Sequence, residues 1–147
     1  MVISLAYYVT LLRRAFAEYC NQQLSEIGLS QGMIFFIIYI GRHPSCSPKE
    51  LSRALRMDIG HTARSLVKLE QGGFITQKVN LDDRRARILN LTDSGKEAFT
   101  LSHELFLEWD KEVLESLSKE EREMLWGLLN KLIQKEVSGN DEIFNCL

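Results

Sequence analysis

Asp82-Asp83-Arg84-Arg85-Ala86-Arg87-Ile88-Leu89-Asn90-Leu91-Thr92 is the stretch that decides the reading of this chain. It lies where two β-prone runs, Gly73 to Val79 and Arg87 to Leu91, must turn back on each other. A short loop that carries several cations and no glycine is a poor solubility device. It suits the narrow, electronegative minor groove of DNA, where arginine is favoured. Directly upstream, Ser47 to Gln71 has the pattern of a helix-turn-helix. Ser47-Pro48-Lys49-Glu50 places a hydroxyl before proline at the first helical position and glutamate at the third, a capping box. The helix it opens is expected over Pro48 to Arg56, burying Leu51 and Leu55. Asp58 caps the next, expected over Ile59 to Gln71 with Ala63, Leu66, Val67 and Leu69 inward or partly so, and Gly72-Gly73 ends it. Two short helices joined by a tight turn and followed by a charged hairpin read as a winged helix that binds DNA.

Working outward, the first helix is expected from about Val2 to Glu26. Its apolar stripe is Leu5, Tyr8, Leu12, Ala15, Phe16 and Tyr19, and Gly28 closes it. Ser30 caps a second helix from Gln31 to Arg42, apolar nearly all round and stopped by His43-Pro44, which should be the most buried element. Downstream, Thr92-Asp93-Ser94-Gly95 opens a long helix from about Asp93 to Leu117. Ser118 and Glu121 form a second capping box for the last helix, which continues to about Val137. The fold class is therefore mainly α with a small β-hairpin wing. One domain covers 1–147: a winged helix-turn-helix core over 30–92, dimerisation helices over 1–28 and 93–137, and a tail over 138–147. The stripes of the terminal helices need a surface outside the compact core, and a second copy of the chain is the economical one. Two-fold pairing then predicts two half-sites about one helical turn apart.

The net charge of −2 over 147 residues argues against nucleic acid only if it is evenly spread. From Arg42 to Leu91 ten Lys/Arg stand against five Asp/Glu, whereas from Thr92 to Leu147 six stand against thirteen. A basic middle joined to an acidic end is what a phosphate-facing surface requires. No secretory signal pattern is visible, and the apolar run Met33 to Ile40 is far too short to cross a bilayer, so no membrane partner is expected. Cys20, Cys46 and Cys146 have neither paired nor metal-type spacing, which suits a reducing cytoplasm. Catalytic parts are lacking: there is no glycine-rich phosphate loop, no nucleophile elbow and no evident carboxylate pair. His43-x-x-Cys46 has no second pair to complete a metal site. No enzyme activity, cofactor or metal is expected.

The joined pattern resembles the MarR (multiple-antibiotic-resistance regulator) family of bacterial transcription factors. The family's wing motif, Asp-x-Arg followed by five residues and Leu-Thr, is similar to Asp83-Arg84-Arg85, Ala86 to Asn90 and Leu91-Thr92. Leu51-Ser52-x-x-Leu55 and Arg64-x-x-x-x-Leu69-Glu70-x-x-Gly73-Phe74-Ile75 resemble its two DNA-facing helices. The resemblance implies that Arg85 is the arginine placed in the minor groove, held by an ion pair to Asp83, and that Arg64 reads a base edge or clamps phosphate. Gly60 departs from the polar residue common at that position and lets the backbone approach DNA closely. Thr62 and Ser65 are expected to reach phosphate. His61 either donates to DNA or is solvated, Arg84 and Arg87 are phosphate contacts or solvated charges, and Lys49 and Arg53 touch phosphate or water.

The family's oxidant-sensing subtype carries a cysteine near the start of the first helix, which Val2 to Tyr8 lack, and Cys20 and Cys46 read as small buried apolar groups. Other members bind small, often anionic aromatic effectors at the junction of the dimerisation helices and the winged helix. Candidate walls here are Tyr7, Tyr8, Arg14, Tyr19, Phe35, Phe36, Tyr39 and Trp109. The expected function is a dimeric regulator, a repressor of pseudo-palindromic operators relieved by such a ligand. The alternative is a winged-helix module that uses the same face for a protein partner.

Overall fold

The structure, a computed structural model, describes residues 3–136. Helix α1 spans Leu5–Leu24 and runs on through a 3-10 turn at Ser25–Ile27. Helix α2 spans Gln31–Arg42, α3 Pro48–Ala54 and α4 Ile59–Gln71. Strands β1 (Ile75–Val79) and β2 (Arg87–Leu91) form the hairpin, and α5 (Asp93–Val113) and α6 (Lys119–Glu136) follow. The mainly helical winged helix-turn-helix expected from the sequence is observed. The boundaries move by a few residues: α1 begins at Leu5, α3 stops at Ala54, β1 starts at Ile75 and α5 ends at Val113. The expected tail over 138–147, with Cys146, lies outside the described residues.

Helix α2 is the centre of the molecule. Ile34, Phe36, Ile37, Ile38, Tyr39 and Ile40 are all buried, and α1, α3, β2 and α5 pack around it. Each such side chain contributes about 1.5–3 kcal/mol relative to exposure, which makes this helix the anchor for the elements packed around it. Its start differs from expectation in one detail. Ser30 has the extended N-cap backbone but makes no side-chain cap, and the Gln31 amide donates instead to Asn21 Oδ1 of α1 at 2.8 Å.

The helix-turn-helix is closed by local hydrogen bonds. Glu50 N–H donates to Ser47 Oγ at 3.2 Å, and Ser47 N–H donates to Glu50 Oε2 at 2.6 Å, completing the capping box of α3. Arg56 ends the α3 segment in the left-handed region, φ 51°. Across the turn Ser52 Oγ donates to the Met57 carbonyl at 2.6 Å, and the Met57 amide donates to the Ser52 carbonyl at 3.0 Å. Asp58 then accepts the His61 amide at 2.8 Å and starts α4. Gly28 and Gly73, at φ 78° and 80°, end the first and fourth helical segments as anticipated, since these backbone conformations suit glycine.

The two strands pair antiparallel, from Ile75 with Leu91 to Val79 with Arg87. Cys46 adds a bridge on the outer side of Leu89, so the loop before α3 closes one edge of the hairpin. The far end is tied by Thr92, whose hydroxyl accepts the Gly95 amide at 3.1 Å and donates to the Gly73 carbonyl. Here α5 passes directly over the backbone that leads into β1: a Cβ at Gly95 would lie 2.0 Å from the Phe74 carbonyl oxygen. The wing is thus fixed to the end of α4 and the start of α5 by backbone contact. The second capping box is also formed, Ser118 N–H donating to Glu121 Oε2 and Glu121 N–H to Ser118 Oγ.

Cys20 and Cys46 are buried, as expected of small apolar groups, and burial pushes their thiols up to about 11 and about 12 respectively. The residues proposed as effector walls divide. Phe36 and Tyr39 belong to the core, Phe35 packs partly buried against it, and Tyr7 and Tyr8 are exposed on α1. Arg14 pairs with Glu18 on the surface at 2.9 Å. Phe16 packs against Phe106 and Trp109, ring centres 5.0 and 4.9 Å away, and joins α1 to α5.

Candidate nucleic-acid interface

Helix α4 shows why its outward face is available. Thr62, Ser65, Leu66 and Leu69 are its buried positions and follow the three- and four-residue steps of a helix. They turn the remaining positions outward or toward the wing. Gly60, His61, Ala63, Arg64, Val67 and Lys68 are all exposed. Lys49 and Arg53 on α3 and Arg84, Arg85 and Arg87 on the hairpin are exposed as well.

Two of the expected phosphate contacts are corrected by this geometry. Thr62 and Ser65 are buried, 2 % and 8 % exposed, because they share the inward side of α4 with Leu66 and Leu69. Their hydroxyls do not lie on the outward face. Ala63 and Val67, expected to point inward or partly so, are exposed instead. Both errors have one origin. Helical phase is set by which side docks on α2 and α3, and a short helix that mixes small polar and small apolar residues does not reveal that side.

Arg64 is exposed and reaches back along the helix. A Cβ placed on Gly60 would lie 3.3 Å from its Nη1 and 3.1 Å from Asp58 Oδ1. The guanidinium and the N-cap carboxylate therefore flank Gly60, whose missing side chain leaves them room. The Asp58 carboxyl is held below its usual range, first by the His61 amide and also by the charges of Arg64 and His61. The ring of His61 lies 6.3 Å from that of Phe36.

On the hairpin the expected ion pair takes another form. Asp83 Oδ1 accepts the backbone amide of Arg85 at 3.0 Å, and the Asp83 carbonyl accepts the Ala86 amide at 2.9 Å. Asn80 Oδ1 accepts the Asp82 amide at 3.0 Å in the same way. Among the described ion pairs there is none between the Asp83 and Arg85 side chains. Aspartate and asparagine fold the tip through Asx-type turns, and the arginine side chains remain exposed on a shaped loop. Asp83 is thus a residue that builds the tip, not a partner that holds the guanidinium.

The hairpin and α4 are joined by a contact that motif reading did not assign. Glu70 Oε1 accepts the Gln77 amide at 3.3 Å, and Glu70 Oε2 accepts from Gln77 Nε2 at 3.1 Å. The end of α4 is so clamped to β1. The signal was present, since Glu70 belongs to the Leu69-Glu70-x-x-Gly73-Phe74-Ile75 pattern, but its partner becomes visible only when the hairpin is folded. An open groove of about 690 Å³ lies between α3, α4 and the wing. Lys49, Ile59, Ala63, Val67, Arg85 and Arg87 are among the residues that line it.

A tight helix-turn-helix, an exposed second helix and an arginine-tipped hairpin fixed beside it define a winged helix-turn-helix DNA-binding protein. Comparison with known proteins narrows the class: the family model described as "MarR family" matches residues 29–86. The chain is 46 % identical over 127 residues to the HTH-type transcriptional regulator BilQ of Clostridium symbiosum, covering 86 % of this chain and 88 % of that protein. It is 34 % identical to BilQ of Clostridioides difficile, with 80 % of each chain covered. The fold is similar to that of the reduced form of MarR from E. coli, with TM-score 0.83, 25 % identity, and 90 % of this chain and 98 % of that chain covered. The transcriptional regulator SlyA gives TM-score 0.80 at 20 % identity, covering 97 % and 99 %. The chain belongs to the MarR family and is a DNA-binding transcriptional regulator, not an enzyme. Among the described residues no single helix is long and apolar enough to cross a membrane.

Proposed function

We propose that the protein acts in the cytoplasm as a homodimeric repressor on an operator with two half-sites. In this reading Arg85 enters the minor groove beside each half-site while the outward side of α4, with Gly60, His61 and Arg64 in its first half, lies in the major groove and meets base edges. Lys49, Arg53, Arg84 and Arg87 contact phosphate around them. The observation that carries the reading is the wing clamped to α4 with its arginines exposed, which sets two DNA probes at a fixed separation. Exposed apolar residues on both terminal segments support the dimer: Leu5, Tyr8, Leu11 and Leu12 on α1, and Met124, Leu128 and Leu132 on α6. A small aromatic or anionic effector at the junction of terminal helices and reading head would relieve repression by changing the spacing of the two heads.

Arg85→Ala is expected to weaken operator binding while dimer and helix content stay unchanged, and Arg64→Ala to cost about 1–3 kcal/mol if it reads a base edge. Titration of labelled upstream DNA measures this. For the wild type, affinity should also fall steeply between low and moderate salt through counterion release. Equal affinity of the Arg85→Ala variant would remove the wing from the interface. Binding to DNA that ignores salt would favour a protein partner on the same face. Protection mapping with and without phenolic ligands tests the effector.

A further inference from the structure

Beside the exposed His61, Arg64 and Lys68, the outward side of α4 carries a row of aliphatic side chains. Ile59 is 75 % exposed and Val67 48 % exposed, and Ala63 lies exposed between them on the same side. All three line the groove beside the wing. Next to Ile59, Gly60 has no side chain, and the Arg64 guanidinium reaches back over that position. The core does not account for this apolar row, because Leu66 and Leu69 already fill the inward side. Nor can these groups bind phosphate, since aliphatic side chains offer neither charge nor donor.

We infer that Ile59, Ala63 and Val67 read the C5-methyl groups of thymines in the major groove, and so select a thymine-bearing half-site. This rests on α4 entering the major groove as proposed above. The C5-methyl of thymine is the apolar feature of the major-groove edge, and small aliphatic side chains complement it. Successive members of the row are about 6 Å apart along the helix, close to two base-pair steps. The surroundings favour DNA over an apolar protein surface. Lys49, Arg85 and Arg87 line the same groove and outnumber its acidic groups, Glu70 and Asp83, and Arg64 and Lys68 are exposed next to Ala63 and Val67 in the chain, so an apolar partner would meet net positive charge. Sequence reading placed Ala63 and Val67 inward or partly so and gave Ile59 no role, which hid the row.

The test uses the full-length protein and its own upstream operator, located by protection mapping. Each thymine of one half-site is replaced in turn by deoxyuridine, which removes only the methyl group. Affinity is then measured for the wild type, Ile59→Ala and Val67→Ala. The wild type should lose about fourfold at each contacted thymine, the value of one buried methyl. Each variant should lose a similar factor on the thymine operator and no longer distinguish thymine from uracil at its own position. Both side chains are exposed, so the variants should keep wild-type circular dichroism. Equal wild-type affinity for both operators, with binding still specific and salt-sensitive, would overturn methyl reading and leave DNA recognition standing. A uracil penalty undiminished in both variants would assign the effect to DNA shape and also overturn it. Absence of any specific DNA binding would bring down the parent reading itself.

Discussion

Thr62 shows how one residue resists a reading from sequence. A threonine in the first half of the second helix of a helix-turn-helix suggests a phosphate contact, yet this one is 2 % exposed. Its hydroxyl has no hydrogen-bond partner among the described residues. A buried unpaired hydroxyl costs about 1–3 kcal/mol relative to a satisfied one, and valine has nearly the same shape. Thr62→Val should therefore leave DNA affinity unchanged and hold or raise the urea midpoint. A clear loss of affinity would return the hydroxyl to the interface. Asp83 teaches the same lesson at the wing. Its place two residues before Arg85 was legible, but not that it binds the backbone amide in preference to the guanidinium. Local sequence fixes which groups are near one another, whereas the loop's own unpaired amides decide which of them is satisfied first.

At the scale of elements, starts and stops were the most legible features. The capping boxes at Ser47 and Ser118 and the glycine stops at Gly28 and Gly73 are local chemistry and fall where expected. The box at α3 also makes a pH-dependent prediction. The Ser47 amide and hydroxyl hold the Glu50 carboxyl below its usual range, with a smaller effect of His43. A depressed carboxyl contributes stability above its unfolded pKa and loses it as pH falls through the folded value. Glu50→Ala should thus destabilise by about 0.5–1 kcal/mol at pH 7, with the gap to wild type closing below about pH 4. Denaturant melts at both pH values measure it, and a gap that persists in acid would count against the cap. The clamp from Glu70 to Gln77 belongs to this scale too, because it exists only between two folded elements.

For the whole molecule, the exposed apolar rows on α1 and α6 lead to a prediction about assembly. Leu12→Glu and Leu128→Glu each place a charge on those rows. If the rows are the proposed dimer surface, both variants should sediment as monomers at concentrations where the wild type is dimeric. Both should also lose affinity for a two-half-site operator far more than for a single half-site. Unchanged sedimentation of both would move the interface elsewhere. The amino-acid sequence by itself determined the order of elements, their caps, the charged hairpin and the family, because each is encoded in patterns a few residues long. Tertiary structure alone decided the phase of α4, the apolar row it turns outward and the clamp that aims the wing. Those depend on which face docks against α2 and α3, a choice made by long-range packing that no local pattern contains.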